Sequence, residues 1–406
     1  MANSTIAEKI AQAESERQRI VANIAAAYDE AEAKGATMPA TENSANLADT
    51  IDSISQGSDT EVEPKYVNFI DVDGTRLYSY TEAEIQSLSA LPQLPTREGY
   101  TYQSWNWTLS EILAYGFPLT VGAVRVPSDG KTHLTFDLYE GDDLTLSIPF
   151  YEETGREISI DWGDGTSGVY TTSPAEHIYA GCGRYTVCAD SNNYFIPKTP
   201  SNIIRQRLSK AEFGVRSKIQ ASCCIECHLL RLLTIPEGIT QIESSAFSGC
   251  SSLPAVVIPA SVEAIRYYAF ADSNSLHTVA FPGGTLWGLD DSAFAYDRLH
   301  TVSLPQSVTE IKSYVFRNNP ILQFVALSPS IQKLNSGVFV NNRFLKSIDL
   351  SALTTVPVVE TNTFFSISDD AVFYVRNAAM LSAFQSATNW SAFASKMQIG
   401  GKYAES

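Results

Sequence analysis

Three groups of residues have the types and spacing to do chemistry. Asp71 and Asp73, just ahead of Gly74, place carboxylates at alternate positions, as a calcium loop does at its start. Asp161, Asp164 and His177 have the composition of an acid–base set. Cys223-Cys224-x-x-Cys227-His228 carries donors of the kind that hold zinc. Each group is incomplete. The first lacks further acidic ligands and the bidentate Glu that closes a calcium loop, so Asp73–Gly74 reads as a turn. The second sits among Asp–Gly turns, where a strand-end His is commonly satisfied by backbone. The third has no second pair at finger spacing, which makes these cysteines core residues. The five histidines, His133, His177, His228, His277 and His300, are scattered without metal-ligand spacing. No phosphate loop or nucleophile elbow is present. A non-enzyme without metal or cofactor is the expectation.

The elements that carry these residues are mostly strands. The chain has 406 residues, 44% of them hydrophobic and 18% charged, an ordinary globular balance with room for several domains. Its formal net charge of −17 repels a phosphate backbone, so nucleic acid is not an expected partner. No stretch approaches the roughly 20 apolar residues that cross a bilayer, so membrane insertion is not expected. The N-terminal residues lack the basic start and apolar core of a signal peptide, which makes synthesis in the cytoplasm without export by the general pathway the expectation. Six cysteines in a chain this long do not form a dense disulfide framework.

Residues Ile6, Ile10, Ala13, Arg17, Ile20, Ile24, Ala27 and Ala31 follow steps of 4, 3, 4, 3, 4, 3 and 4. This heptad seam predicts a coiled coil that joins copies of the chain, a trimer being favoured; docking of the helix on its own chain is the other reading. Gly35 suits the position just past a helix C-terminus. Ile6-Ala7-Glu8-Lys9-Ile10, Lys34-Gly35 and the run from Leu47 to Ile54 together resemble a segment found near the N-termini of bacteriophage tail and fibre proteins.

Two β modules follow. Tyr66 to Thr75 alternates Val67, Phe69 and Asp71 before Asp73–Gly74, a hairpin pattern. With Pro95, Arg97-Glu98-Gly99-Tyr100 and Trp105, it resembles the internalin-type B repeat, which implies a β-grasp spacer or binding module. Tyr102 and Ser104 stand where that pattern has Phe and Gly. Farther on, Asp161-Trp162-Gly163-Asp164-Gly165, His177, Tyr179, Gly183 and Tyr185-Thr186-Val187 resemble the PKD-type β-sandwich, which implies a spacer or adhesive module.

The strongest pattern is periodic. Ala246–Phe247, Ala269–Phe270, Ala293–Phe294, Val315–Phe316 and Val338–Phe339 recur at spacings of 23, 24, 22 and 23. Leu230, Leu253, Leu276, Leu299, Leu322 and Leu345 keep step, as do Ile235-Pro236, Ile258-Pro259, Phe281-Pro282 and Leu304-Pro305. A period of about 20–29 residues with leucine columns marks a leucine-rich-repeat solenoid. The composite L-x-x-V-x-I-P-x-x-V-x-x-I-x-x-x-A-F-x-x-C resembles the BspA-type leucine-rich repeat from about Phe213 to Tyr374. Ala383-Phe384 and Asn389-Trp390 resemble the helical cap of such arrays.

The expected chain is thus multi-domain and mainly β. Residues 1–60 are a coiled-coil attachment segment, 61–123 a β-grasp-like module, 124–200 a PKD-like β-sandwich, 201–376 the solenoid and 377–406 a helical cap and tail. Alternation in the strands turns Leu232/Thr234, Ala255/Val257, Thr278/Ala280, Thr301/Ser303, Phe324/Ala326 and Ser347/Asp349 outward, a small, weakly polar face for a ligand or for solvent alone. From it Thr278, Thr301, Ser303, Phe324, Ser347 and Asp349 are candidate ligand contacts. A second candidate is the turn face bearing Arg266, Tyr267, Tyr268, Tyr314 and Arg317, since Tyr and Arg are enriched at interfaces. The functional expectation is a phage virion protein, a tail or head fibre that binds its host receptor, a bacterial surface glycan or protein, through the solenoid and other virion proteins through its N-terminus. A bacterial surface adhesin and a capsid decoration subunit are the alternatives.

Overall fold

The computed structural model describes residues 66–115, 119–149, 157–190, 202–214, 218–284 and 286–401. The heptad seam from Ile6 to Ala31 lies outside the described residues. The chain divides into a unit ending at Pro64 and another running from Lys65 to Ser406. The second unit is mainly β, with few and short helices.

Its first element pair is a hairpin, β1 (Tyr66–Ile70) and β2 (Arg76–Thr81). The turn closes when the Gly74 and Asp71 N–H groups donate to the Asp71 and Thr75 carbonyls, at 2.9 and 2.8 Å. Thr81 then caps helix α1 (Glu82–Gln86) reciprocally with Glu84, the capping-box arrangement. Next come β3 (Tyr100–Trp105), α2 (Leu109–Tyr115) and β4 (Leu119–Pro127). The sheet order is β2-β1-β4-β3, with β1 and β4 parallel at its centre. Val67, Phe69, Trp105, Trp107, Ile112 and Val121 form its core. The domain break expected between residues 123 and 124 falls inside β4. That strand is continuous because both its ends pair, Leu119 with Val67 and Pro127 with Tyr100.

The second module holds β5 (Thr132–Leu138), β6 (Thr145–Ile148), β7 (Ile158–Asp161), β8 (Ser167–Tyr170), β9 (Ala175–Ile178) and β10 (Gly183–Ala189). β10 pairs antiparallel with β5 and β7, and β6 pairs with β9 as a separate ribbon. Side chains of both sheets, among them Phe136, Leu146, Ile160 and Trp162, share one core. After α3 (Asn202–Arg207), β11 (Leu208–Glu212) pairs with β5 on one side and with the first long solenoid strand on the other. The sheet therefore runs on past the break expected at residue 200. A solenoid end exposes an apolar face that must be covered, and at this end β11 and the module behind it do so.

Each solenoid turn contributes two strands. The longer series is β13 (Leu232–Thr234), β15 (Ala255–Val257), β17 (Thr278–Ala280), β19 (Thr301–Ser303), β21 (Phe324–Ala326), β23 (Ser347–Asp349) and β25 (Val372–Val375). The shorter is β12 (Lys218–Ile219), β14 (Gln241–Ile242), β16 (Ala264–Ile265), β18 (Gly288–Leu289), β20 (Glu310–Ile311), β22 (Lys333–Leu334) and β24 (Val358–Val359). Pairing within each series is parallel. The Phe column becomes a continuous stack, with Phe247, Phe270, Phe294, Phe316, Phe339 and Phe364 at centroid spacings of 5.2 to 5.9 Å. Helix α4 (Ala378–Ser386), a 3-10 turn (Ser391–Lys396) and β26 (Met397–Ile399) close the far end, where buried Trp390 packs on Phe364, Phe373 and Phe384.

One core column is polar. Cys227 and Cys250 are succeeded by Ser273, Asp297, Asn319 and Asn342, all buried. These side chains satisfy backbone groups of the turns. The Asn342 Nδ2 donates to the Phe316 carbonyl at 2.9 Å and its Oδ1 accepts from the Asn319 N–H at 2.7 Å. The Ser273 hydroxyl donates to Phe247 in the same way.

Candidate functional site

The outward face of the long strands is not an open ligand surface. Strand β4 lies across β13, β15 and β17, and Ile70 and Val124 form an apolar cluster with Val257 and Ala280. The approach is so close that a Cβ on Gly122 would lie 2.4 Å from Val257 Cγ1. Buried Asn106 locks the contact, because its Nδ2 donates to the Ile258, Ala280 and Phe281 carbonyls at 3.0, 3.0 and 3.2 Å. Its Oδ1 accepts the Gly122 N–H at 2.6 Å, and the Trp107 indole donates to Phe281 O at 2.7 Å. Small outward residues such as Ala255 and Ala280 are what lets a second sheet come this near.

The expected face residues accordingly fare differently. Thr278, Thr301, Ser303 and Asp349 are half-buried, while Phe324 and Ser347 are buried. Asp349 accepts the Ser351 N–H at 2.8 Å, which occupies it structurally. The face is thus mostly an internal interface in its first three repeats. Sequence alternation could not show what lies against these side chains, and Phe324 and Ser347 are buried where it turns them outward.

The turn edge is different. Each turn places one residue with left-handed backbone three positions after the short strand: Ser245, Tyr268, Ser292, Tyr314, Gly337 and Asn362 have φ between 55° and 65°. A second left-handed column holds Asp272, Tyr296, Asn318, Asn341 and Ser366. Ser, Asn and Gly suit such positions, whereas a bulky side chain there is held at a cost of about 1–2 kcal/mol. Tyr268, Tyr296 and Tyr314 accept that cost in neighbouring repeats. Gly337 also makes room, since a Cβ there would meet the Tyr314 ring at 2.4 Å.

Cations lie between these rings. The Arg317 guanidinium sits 5.0 Å from the Tyr296 ring centre and 5.4 Å from that of Tyr314. One repeat earlier, Arg266 lies 5.6 Å from the Trp287 ring and 3.3 Å from Asp290. Tyr267 stacks edge-on to Tyr268 at 4.2 Å. Trp287, Tyr267 and Tyr314 are 52%, 50% and 39% exposed, which makes the edge an aromatic surface carrying guanidinium groups. Trp287 is absent from the sequence-derived candidates. Its signal was its column, where Glu263, Thr309 and Gln332 are polar and a tryptophan has no structural reason to stand.

The other sequence candidates for chemistry are occupied structurally. Buried Arg125 holds Asp71 at 2.6 Å, and Arg97 bridges Asp71 and Asp73 at 3.1 and 2.9 Å. Asp164 accepts from Thr166 at 2.6 Å and bonds His177 at 2.7 Å, and these hydrogen bonds bring its carboxyl down to about 2. His177 in turn stacks on Trp162. Cys223, Cys224, Cys227 and Cys250 are buried, and burial raises the thiol pKa of Cys227 and Cys250. Among the described residues no group of three or more His, Cys, Asp or Glu is placed to hold a metal ion. Among the same residues no helix is long and apolar enough to cross a membrane.

Residues 217–370 match the BspA type leucine rich repeat region, in six copies. They are leucine-rich repeats. The match stops short of both β modules and of the N-terminal segment, so the internalin, PKD and phage-fibre resemblances remain readings of the sequence. No curated protein matches the chain. Among solved structures, it is similar to a leucine-rich repeat protein from Bacteroides ovatus, with 19% identity over 56% of this chain and 58% of that one, at a TM-score of 0.36. It is also similar to a leucine rich cell surface protein from Faecalibacterium prausnitzii, with 16% identity over 46% of this chain and 61% of that one, at a TM-score of 0.30. The chain therefore spans less than two thirds of either structure.

Proposed function

We propose that this chain is a non-catalytic recognition protein of the bacterial surface-adhesin type, and that the aromatic turn edge of the leucine-rich repeats is its contact surface. One observation carries this reading. The sheet face of the first repeats is covered by the chain's own β4, while Tyr267, Trp287 and Tyr314 stand exposed with arginines beside them. Left-handed tyrosines give a second support, because backbone strain kept in several repeats points to a use for the side chains. The β modules then act as a rigid mount for the solenoid.

The virion-fibre reading depends on residues 1–60, which lie outside the described residues, and on the trimer that their seam would form. Nothing on the leucine-rich repeats favours it over the adhesin.

Labelled full-length chain incubated with intact bacterial cells and with matrix-coated surfaces tests the proposal. Binding that survives Thr301→Lys on the sheet face and falls about tenfold or more with Tyr267→Ala plus Tyr314→Ala is expected. Binding lost with the first variant and kept with the second would reject the edge as the contact surface.

A further inference from the structure

We propose that Trp287, Arg266 and Asp290 form a carbohydrate-binding site, in which a pyranose ring stacks on the Trp287 indole and its hydroxyls are held by the guanidinium and the carboxylate. The inference rests on the recognition role of the turn edge and names the class of ligand taken there.

Trp287 is the first argument. The chain has five tryptophans, and Trp105, Trp107, Trp162 and Trp390 are buried, each in a core or cap that accounts for it. Trp287 alone is open, with half its surface in water. Its backbone is fixed, the N–H donating to the Glu263 carbonyl at 2.9 Å in the ladder between turns. A rigidly mounted indole gives a large flat surface at little entropic cost on binding.

The surroundings select the ligand. Arg266 is 5.6 Å from the indole centre and 3.3 Å from Asp290 Oδ2, so donors and an acceptor lie together at one side of the ring. Glu263 and Asp291 add exposed carboxylates from the flanking turns. A sugar presents C–H groups on one face and alternating hydroxyl donors and acceptors around its rim, which this arrangement complements. A lipid surface would be met by a broader apolar face, and a protein partner, whose hot spots also use Trp, Tyr and Arg, is told apart by the polysaccharide arm of the test below. The exposed large hydrophobic residues on this stretch of edge are Tyr267, Trp287 and Tyr314, all with a polar atom of their own. The charge of the chain, with carboxylates beside this site, disfavours polyanions and points to a neutral or amino sugar.

Because the other indoles are buried, Trp287 can be read separately. Full-length chain is titrated with yeast mannan, dextran, chitosan oligomers and purified bacterial cell-wall polysaccharide, following tryptophan emission and oxidation by N-bromosuccinimide. The expected result is one fast-oxidising tryptophan in the free protein, protected by at least one of these polysaccharides. Trp287→Ala should weaken that polysaccharide by at least about tenfold, and Trp287→Phe by less. Ile178→Ala, exposed on the second β module and away from the turn edge, should leave it within about twofold. Cell binding that depends on Tyr267 and Tyr314 but is unchanged in Trp287→Ala, with no protection by any polysaccharide, overturns the carbohydrate site and leaves the recognition role standing. Absence of edge-dependent cell binding together with absence of polysaccharide binding overturns both.

Discussion

Asp297 offers the sharpest test of how this solenoid is held together. It occupies the polar core column that Asn319 and Asn342 fill two and one repeats from the array's end. Its Oδ1 accepts the Ser273 N–H at 2.9 Å, as Asn342 accepts from Asn319. Where Asn342 donates to the Phe316 carbonyl, however, Asp297 presents Oδ2, a buried atom with no hydrogen-bond partner. A carboxyl can donate there only when protonated, and burial, reinforced by Asp272, raises its pKa well above the usual value. The folded protein therefore holds a proton that the unfolded chain releases above about pH 4. Stability from this group is complete below that pH and is lost as pH rises toward the folded pKa, at about 1.4 kcal/mol per pH unit. Asp297→Asn supplies the donor at every pH. Urea unfolding of both proteins at pH 4, 5 and 6 should give a small difference at the lowest pH and an advantage for the variant that grows by about that increment per unit. All other carboxylates are common to the two proteins and cancel. An advantage independent of pH, or a wild type more stable at pH 6, would refute a neutral buried Asp297.

Three further outcomes follow from the packing. Gly122→Val should force β4 from Val257 and Ala280, destabilising the chain by about 1–3 kcal/mol and raising hydrogen exchange in β15 and β17. Asn106→Ala removes the amide donor shared by the Ile258, Ala280 and Phe281 carbonyls, of which Ala280 keeps the Ile258 N–H and Phe281 the Trp107 indole, and takes the acceptor from the Gly122 N–H. A cost of at least about 2 kcal/mol is expected in urea unfolding, and a loss under about 0.5 kcal/mol would mean that the docking is held by apolar contact alone. Iodoacetamide at pH 8 should modify exposed Cys182 first, with Cys188, whose thiol burial pushes up to about 11, lagging behind it, and buried Cys227 and Cys250 inert until the protein unfolds; peptide mapping by mass spectrometry reads the order.

The repeat array was legible because its period is a local property. A solenoid turn contacts mainly its neighbours, so the same residue types must return at the same spacing, and the Phe, Leu and Ile columns occupy the core positions their periodicity assigns. The hairpin at Asp73–Gly74 was readable for the same reason, since a turn is set by its own few residues.

What the sequence could not decide was what comes to lie against the outward residues. Thr278 and Ala280 in isolation describe a solvated ladder as well as an interface, and only the return of β4 from residues far earlier in the chain makes them an interface. Asn106, polar and unremarked among aromatics, acquires its role from carbonyls 152 to 175 positions away. Exposure of Trp287 is decided the same way, by which of the described residues come to lie against that edge rather than by its own type. Period, alternation and turn chemistry are short-range and written in neighbouring residues; burial depends on which distant surfaces meet, and that is settled by the tertiary structure.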